Sequence, residues 1–519
     1  MKKVETSQYQ LWRSSESANI SNSKEIISFL AFIKHKNQTN WFFTKVGEVA
    51  KSIKPGFASG KHNKLGNGIP HLRPMNINTK GEIDLSTVKY VMPKQNIFLK
   101  KGDVLFNNTN SPELVGKTAF INQDNRLAYS NHMTRIEVNK RLIEPKWLSI
   151  WLHYLFFRGY FKFYCTKHVN QASINTKFLS NNVFVPLPPL NEQKRIVAKI
   201  EELFSKLDAG VESLKKAEAQ LRRYRQSVLK AAFEGKLTEK WREKHKERES
   251  SIRKQMNFSK KEKVSNQEYA PSRLKKIPIS WTWATIGDIK ESMKNGIYKP
   301  KKFYSDDGIP CLRMYNIEDG KIVWKNIKRM VLSEQELKDY GLLAGDILIN
   351  RVNSRELVGK SAVIPDGLGH CVYESKNIRL RVKKKVSLSK YVNYWLLLEA
   401  RNFFNRNAQQ TVGMASINQE QISLMPIPLT SLKEQQKIIE EIERRFSIID
   451  SLEKTIDNSL KEAERLRQAI LKKAFEGRLV PQDPNDEPAW KLLERIKEEK
   501  KRLEAEKKNK KKRTKKGRC

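Results

Sequence analysis

The stretch from Asn191 to Leu237 occurs twice. It returns without a gap from Lys433 to Leu479, and roughly 18 of the 47 paired positions are identical. A repeat of that length restricts the fold to one in which a single unit is built twice. Ile200, Leu207, Leu214, Leu221 and Val228 fall seven apart in the first copy, and Ile196, Leu203, Ala217, Tyr224 and Ala231 form a second row with Gly210 as its weak point. In the second copy Ile442, Ile449, Ile456, Ala463 and Ile470 repeat the first row. Ile438, Leu452 and Leu466 hold its second row against intrusions at Arg445, Ser459 and Lys473. This is a heptad seam. A helix of that length reaches roughly 70 Å, too long to stand alone, so each copy is expected to be the other's partner.

Both copies end on Ala-Phe-Glu-Gly, at Ala232–Gly235 and Ala474–Gly477, where glycine suits a left-handed cap. Both begin after a proline-rich approach, Val185-Pro186-Leu187-Pro188-Pro189 and Pro426-Ile427-Pro428, which keeps the helix from extending backwards.

The repeat reaches further upstream. Trp41…Val46-Gly47-Glu48-Val49…Gly56 matches Trp281…Ile286-Gly287-Asp288-Ile289…Gly296, and Gly68-Ile69-Pro70-His71-Leu72-Arg73…Asn76-Ile77 matches Gly308-Ile309-Pro310-Cys311-Leu312-Arg313…Asn316-Ile317. Further on, Glu113-Leu114-Val115-Gly116-Lys117 answers Glu356-Leu357-Val358-Gly359-Lys360, and Ala172-Ser173-Ile174-Asn175 answers Ala415-Ser416-Ile417-Asn418. The repeating unit is a globular domain followed by a long helix. Short β-branched runs such as Asp103–Phe106 and Asp346–Ile349 read as strands, whereas Pro145–Phe161 and Leu388–Phe404 read as packing helices, giving an α+β domain.

Lys and Arg total 100 against 57 Asp and Glu, a net charge of +43 that calls for a polyanionic partner. The two globular domains carry roughly +21 of it and the paired helices about +5, so the domains are the parts expected to meet phosphate. No apolar run reaches membrane-spanning length and no signal-peptide pattern opens the chain, so a cytoplasmic location without membrane partners is expected. Cys165, Cys311, Cys371 and Cys519 are scattered, and no metal site is implied. Gly116-Lys117-Thr118 and Gly359-Lys360-Ser361 resemble the end of a phosphate-binding loop, but Ser111 and Ser354 stand where its first glycine belongs. No catalytic constellation is found.

A duplicated unit whose helices share one seam has a natural pseudo-twofold axis, which makes the helices antiparallel. Duplex DNA has local twofold axes of its own, so two unlike domains suit two unlike half-sites.

The repeated architecture, the Ala-Phe-Glu-Gly-Lys/Arg-Leu helix ends, the Pro-Leu…Glu-Gln helix starts and the stretch Leu479-Val480-Pro481-Gln482-Asp483-Pro484-Asn485-Asp486-Glu487-Pro488 together resemble the specificity subunit of a type I restriction-modification system. The resemblance implies two target recognition domains separated by two long antiparallel coiled-coil helices. It implies a noncatalytic subunit that reads an asymmetric bipartite site in double-stranded DNA. Two methyltransferase subunits and restriction/translocase subunits would be its partners, with S-adenosylmethionine, ATP and Mg on those partners and no cofactor on this chain. The expected boundaries are an N-terminal arm 1–40, recognition domain 41–190, central helix 191–240, linker 241–276, second recognition domain 277–432, distal helix 433–480 and basic tail 481–519. Two other readings are a fused-type enzyme whose single partner both cuts and methylates, and an RNA-binding coiled-coil adaptor.

Arginine pairs bidentately with guanine and Asn or Gln with adenine, whereas Lys more often meets phosphate. On that chemistry the base-reading candidates are Arg73, Asn76, Asn107, Asn108, Asn110 and Gln171 in the first domain. In the second they are Arg313, Tyr315, Asn316, Arg351, Asn353, Arg355, Gln409 and Gln410. Lys117 and Lys360 are the phosphate candidates.

Overall fold

The computed structural model describes residues 41–506 except 93–96, 125, 170, 246–276, 408, 412–413, 489, 493, 500 and 503–504. The N-terminal arm, most of the linker and the basic run after Glu506 lie outside the described residues. The chain divides into two compact units, Met1–Glu212 with Lys461–Cys519, and Ser213–Leu460. The division cuts both long helices, Leu190–Phe233 and Leu432–Phe475, so each unit holds one globular domain and part of each helix.

In the first domain a four-stranded antiparallel sheet runs in the order Ala50–Pro55, Met133–Val138, Val104–Asn107, Thr118–Phe120. Successive side chains of a strand point to opposite faces. Val104 and Phe106 therefore enter one core with Trp147 and Trp151 of the helix Pro145–Phe157, while Leu105 enters another with Leu72, Ile77 and Tyr129. The second domain repeats the design in the order Lys290–Asn295, Asn377–Val382, Ile347–Asn350, Ser361–Val363. There Ile347 and Ile349 pack with Trp395 of the helix Ser389–Asn407, and Leu348 packs with Leu312, Ile317 and Tyr373. The second domain also holds the helix Glu334–Tyr340, and its hairpin Ile317–Glu318/Lys321–Ile322 answers the antiparallel bridge between Ile77 and Ile83 in the first.

Within each unit the two long helices pack antiparallel. In the first, Ile196, Val197 and Ile200 share a core with Ile470, Leu471, Ala474 and Phe475, and further along Asp208 meets Arg467. In the second, Val228, Leu229 and Phe233 share a core with Ile438, Ile442 and Phe446, and Arg225 meets Asp450. Advancing along one helix means retreating along the other.

The first heptad row faces the seam as expected; the second does so at the helix starts, where Ile196 and Ile438 are fully buried, but not along the rest of its length. Tyr224, Leu452 and Leu466 are 50%, 46% and 49% exposed. Beyond those starts the more buried row lies one residue on, at Phe204, Val211, Glu218, Arg225 and Ala232, and at Phe446, Glu453, Leu460, Arg467 and Ala474. Long charged side chains bury their stems and carry their heads to partners, so a row containing Arg225 and Arg467 can still line a seam.

Each helix ends by inserting its phenylalanine into the domain of the other repeat. Phe475 lies 4.9 Å from Trp147 and 4.8 Å from Trp151, ring centre to ring centre. Phe233 lies 5.1 Å from Tyr391 and 5.0 Å from Trp395. Gly235 and Gly477 then take φ of 73° and 68°, the left-handed turn the sequence anticipated. The Glu-Gln pairs at the helix starts are pins. Trp41 Nε1 donates to Glu192 at 3.1 Å and Trp281 Nε1 to Glu434 at 2.9 Å. Gln193 and Gln435 accept from the backbone N–H of Glu144 and Leu388. The segment that follows each helix returns to the start of the other: Asp486 accepts from Arg195, and Arg242 donates to Glu434.

Truncating either plug leaves a cavity among aromatic rings. Phe475→Ala and Phe233→Ala are each expected to lower unfolding free energy by about 3–5 kcal/mol in denaturant titrations of the full chain. A loss under about 1 kcal/mol would mean that the helix end is not an integral part of that core.

Candidate nucleic-acid interface

The first candidates cluster at a turn that both domains build alike. Strand Ile69–Leu72 runs into the short helix Pro74–Asn76, and strand Tyr304–Leu312 into Met314–Asn316. Asn76 accepts from the Arg73 backbone N–H at 3.0 Å and donates to Asp84 O at 2.9 Å. Asn316 accepts from the Arg313 N–H at 2.9 Å and donates to Val323 O and Lys325 O. Both asparagines are fully buried, so they hold the turn and offer no edge to a base. The arginines they position remain partly accessible. Arg73 Nη2 reaches Thr87 O at 3.4 Å. Arg313 is braced by its Nε on Glu374 at 2.8 Å and lies 5.3 Å from the ring of Tyr315, whose hydroxyl donates to Asn326 O.

Three more candidates are structural for the same reason. Asn107 is buried, donating to Leu114 O, and Asn108 donates to Thr134 Oγ1 at 2.8 Å and Asn131 O at 3.1 Å. Lys117 is 6% exposed with Nζ on Ile77 O, and burial lowers its pKa. The glycine before it has φ of 96°, and a Cβ there would stand 2.3 Å from Phe161. Gly359 repeats this with φ of 85° and Phe404 at 2.6 Å. The Gly-Lys pair is thus a turn under an aromatic ring, not a phosphate cradle. Lys360 is less buried than Lys117, and desolvation lowers its pKa as well, against Glu318 and Asp319.

The remaining candidates converge on a small sheet. In the first domain Thr109–Asn110 pairs with Gln171–Ser173, which pairs with Thr166–His168. In the second, Val352–Asn353 pairs with Met414–Ser416, which pairs with Gln409–Thr411. Gln171 and Arg355 are exposed. Asn110 caps the Ser111 N–H, and Asn353 caps Ser354 while donating to Asn350 at 2.8 Å. Arg351 Nη1 lies 3.4 Å from Ser375 O, and its Nε is buried without a hydrogen-bond partner. Gln409 and Gln410 take their places in the outer strand, opposite Ser416 and Ala415.

The sequence reading missed what ties the arginine turn to the helices. Lys80, four residues past Asn76, meets Asp208 at 2.8 Å, and Asp208 also meets Arg467 at 2.6 Å. Arg467 lies 4.2 Å from the ring of Phe204. The second unit holds the same cluster: Lys321 to Asp450 at 2.7 Å, Arg225 to Asp450 at 2.6 Å, and Arg225 4.6 Å from the ring of Phe446. A signal was present, since Phe204/Phe446, Asp208/Asp450 and Arg225/Arg467 are among the identical positions of the repeat.

Among the described residues no group of His, Cys, Asp or Glu is placed to hold a metal, and no helix is long and apolar enough to cross a membrane. The geometry defines a duplicated binding scaffold with one polar surface per copy. The model of the type I restriction modification DNA specificity domain matches residues 38–221 and 278–462, and the chain belongs to that family. It is 32% identical over 328 residues to the type I restriction enzyme EcoKI specificity subunit of Escherichia coli, covering 61% of this chain and 63% of that protein. It is 30% identical over 328 residues to the StySPI specificity subunit of Salmonella potsdam, again covering 61% of this chain and 63% of that protein. The alignments thus span under two thirds of these relatives. A chain from a solved type I R-M system has the same fold, with a TM-score of 0.63 at 20% identity over 85% of this chain and 98% of that one.

Burial opposes ionisation of Asp208 and Asp450, but their cationic partners outweigh it, and both pKa values are lowered. A depressed folded-state pKa contributes stability that is present above the unfolded value, near 3.9, and is lost as pH falls through the folded value. Asp208→Asn should therefore destabilise the chain at neutral pH by about 1–2 kcal/mol, between the exposed and buried limits for such pairs. The difference from the unsubstituted chain should fade in acid melts. A pH-independent difference would show that the carboxylate charge is not what binds the cluster.

Proposed function

We propose that this chain is the noncatalytic DNA-specificity subunit of a type I restriction-modification complex. The observation that carries the reading is that one frame is built twice, with the same arginine turn, small sheet and charged cluster, while exposed side chains on the small sheet, such as Gln171 and Met414, differ between copies. Such a molecule is suited to an asymmetric bipartite site in duplex DNA, one half per domain, with the paired helices setting the spacer. The recognition domains are 41–190 and 277–432, and the segments 191–240 and 433–480 are built on the helices Leu190–Phe233 and Leu432–Phe475. The segments 1–40, 241–276 and 481–519 are the arm, linker and tail of the same proposal.

Arg73, Arg313, Tyr315, Arg351, Arg355 and Gln171 are the accessible base-reading candidates, with Gln409 and Gln410 in the outer strand, and Lys360 is the better phosphate candidate. Two methyltransferase subunits using S-adenosylmethionine would dock on the chain. Restriction/translocase subunits using ATP and Mg would join them, all in the cytoplasm. The duplicated family match and the concentration of positive charge in the two domains support the reading.

Sequencing the methylated adenines in DNA modified by the complex tests it. The expected result is one asymmetric motif of two unlike parts with a fixed gap; methylation without such a motif would overturn the reading. Arg313→Ala is expected to relax one base position, costing about 1–3 kcal/mol of discrimination. Equal loss on all sequences would reassign Arg313 to the DNA backbone. Inserting one heptad into both helices is expected to lengthen the gap and leave both half-sites unchanged.

A further inference from the structure

The small three-stranded sheet buries Ala172 of its central strand, whereas its edge strand Thr166–His168 is exposed at all three residues. In the first domain Ser173 stands opposite Thr109 and Thr166, and His168 opposite Gln171, whereas Ala172 stands opposite Asn110 and Lys167. Strand neighbours alternate faces, and Ala172 is fully buried. Thr109, Thr166, His168, Gln171 and Ser173 therefore share the outward face, where His168 Nε2 lies 3.1 Å from Ser173 Oγ. These are hydrogen-bonding groups without a carboxylate among them. In the second domain Ser416 stands opposite Val352, and buried Ala415 opposite Asn353.

The frame is the same in both copies, Ala172-Ser173-Ile174-Asn175 and Ala415-Ser416-Ile417-Asn418. On the outward face Ser173 is kept as Ser416, but Thr109 gives way to Val352, and Gln171 to Met414, which is 42% exposed. A fold that reads two unlike half-sites must vary where it meets bases and stay constant where it holds its own backbone.

We infer that the outward face of this sheet is a base-reading surface of each domain, in addition to the arginine turn, and that it takes the base edges of duplex DNA. The inference rests on the function proposed above. A two-stranded β-ribbon fits the major groove, where Gln pairs with adenine and hydroxyls serve any base. Apolar residues there suit the thymine methyl, and Val169, 92% exposed next to the hairpin strand Thr166–His168, is placed for such a contact. Asn110 and Asn353, opposite the buried alanines, belong to the frame.

The test transplants the second domain's residues onto the first. The double variant Gln171→Met, His168→Thr, in the full chain assembled with its methyltransferase partner, is compared with the unsubstituted complex by mapping methylated adenines; Gln171→Ala is the milder companion. The expected result is an altered first half-site, with discrimination at one or two of its positions falling about tenfold or more, while the second half-site and the gap stay fixed. An unshifted first half-site from a working double variant and from Gln171→Ala would overturn the assignment alone. Loss of assembly with the methyltransferase would overturn it in favour of a subunit contact. If the unsubstituted complex gives no bipartite motif, the parent reading falls and takes the inference with it.

Discussion

The structure depends on two phenylalanines lodged in cores that their own repeats do not build. Phe475 closes a cluster of Trp147, Trp151 and Tyr154, and Phe233 closes one of Tyr391 and Trp395. A globular domain of this chain is therefore finished only when the helix of the other repeat arrives. Aromatic burial is among the largest single contributions a side chain makes, so the two copies fold as dependants of one another. The segments beyond the helix ends reinforce the exchange, through Asp486 on Arg195 and Arg242 on Glu434.

On this apolar base sits an electrostatic device used twice. Asp208 and Asp450 each join a lysine from the recognition domain to an arginine from the opposing helix. Neither aspartate is deeply buried, and a single exposed ion pair is worth little. The value of the arrangement is positional: Lys80 and Lys321 follow directly on the turns that carry Arg73 and Arg313, so each turn is referred to the helix pair through one carboxylate. Stacking of Arg467 on Phe204 and of Arg225 on Phe446 restricts the guanidinium to the orientation the carboxylate needs.

Much of this was legible before any coordinates. The duplication, the glycine caps at Gly235 and Gly477, the strands at Val104 and Ile347 and the first heptad row all follow from residue pattern. The second row follows only as far as Ile196 and Ile438, because hydrophobicity ranks Leu452 and Leu466 above Glu453 and Arg467, whereas the seam takes the charged residues and leaves the leucines half exposed. The binding surface was less legible still. Asn76, Asn107 and Lys117 have the right chemistry for nucleic acid, but residue type carries no direction, and all three point inward to hydrogen bonds of the fold. In the small sheet the difference between the copies is the better signal, since buried Ala172 and Ala415 are identical while exposed Gln171 and Met414 are not.

The central claim is the crosswise, antiparallel pairing of the repeats, and a charge-exchange cycle tests it most directly. Asp208→Arg, Arg467→Asp and the double exchange are compared by equilibrium unfolding of the full chain, alongside a control that exchanges Asp208 with Arg225. The account predicts that each single change destabilises, that the exchange with Arg467 recovers most of the loss, and that the exchange with Arg225 recovers none. Recovery with Arg225 in place of Arg467 would contradict it.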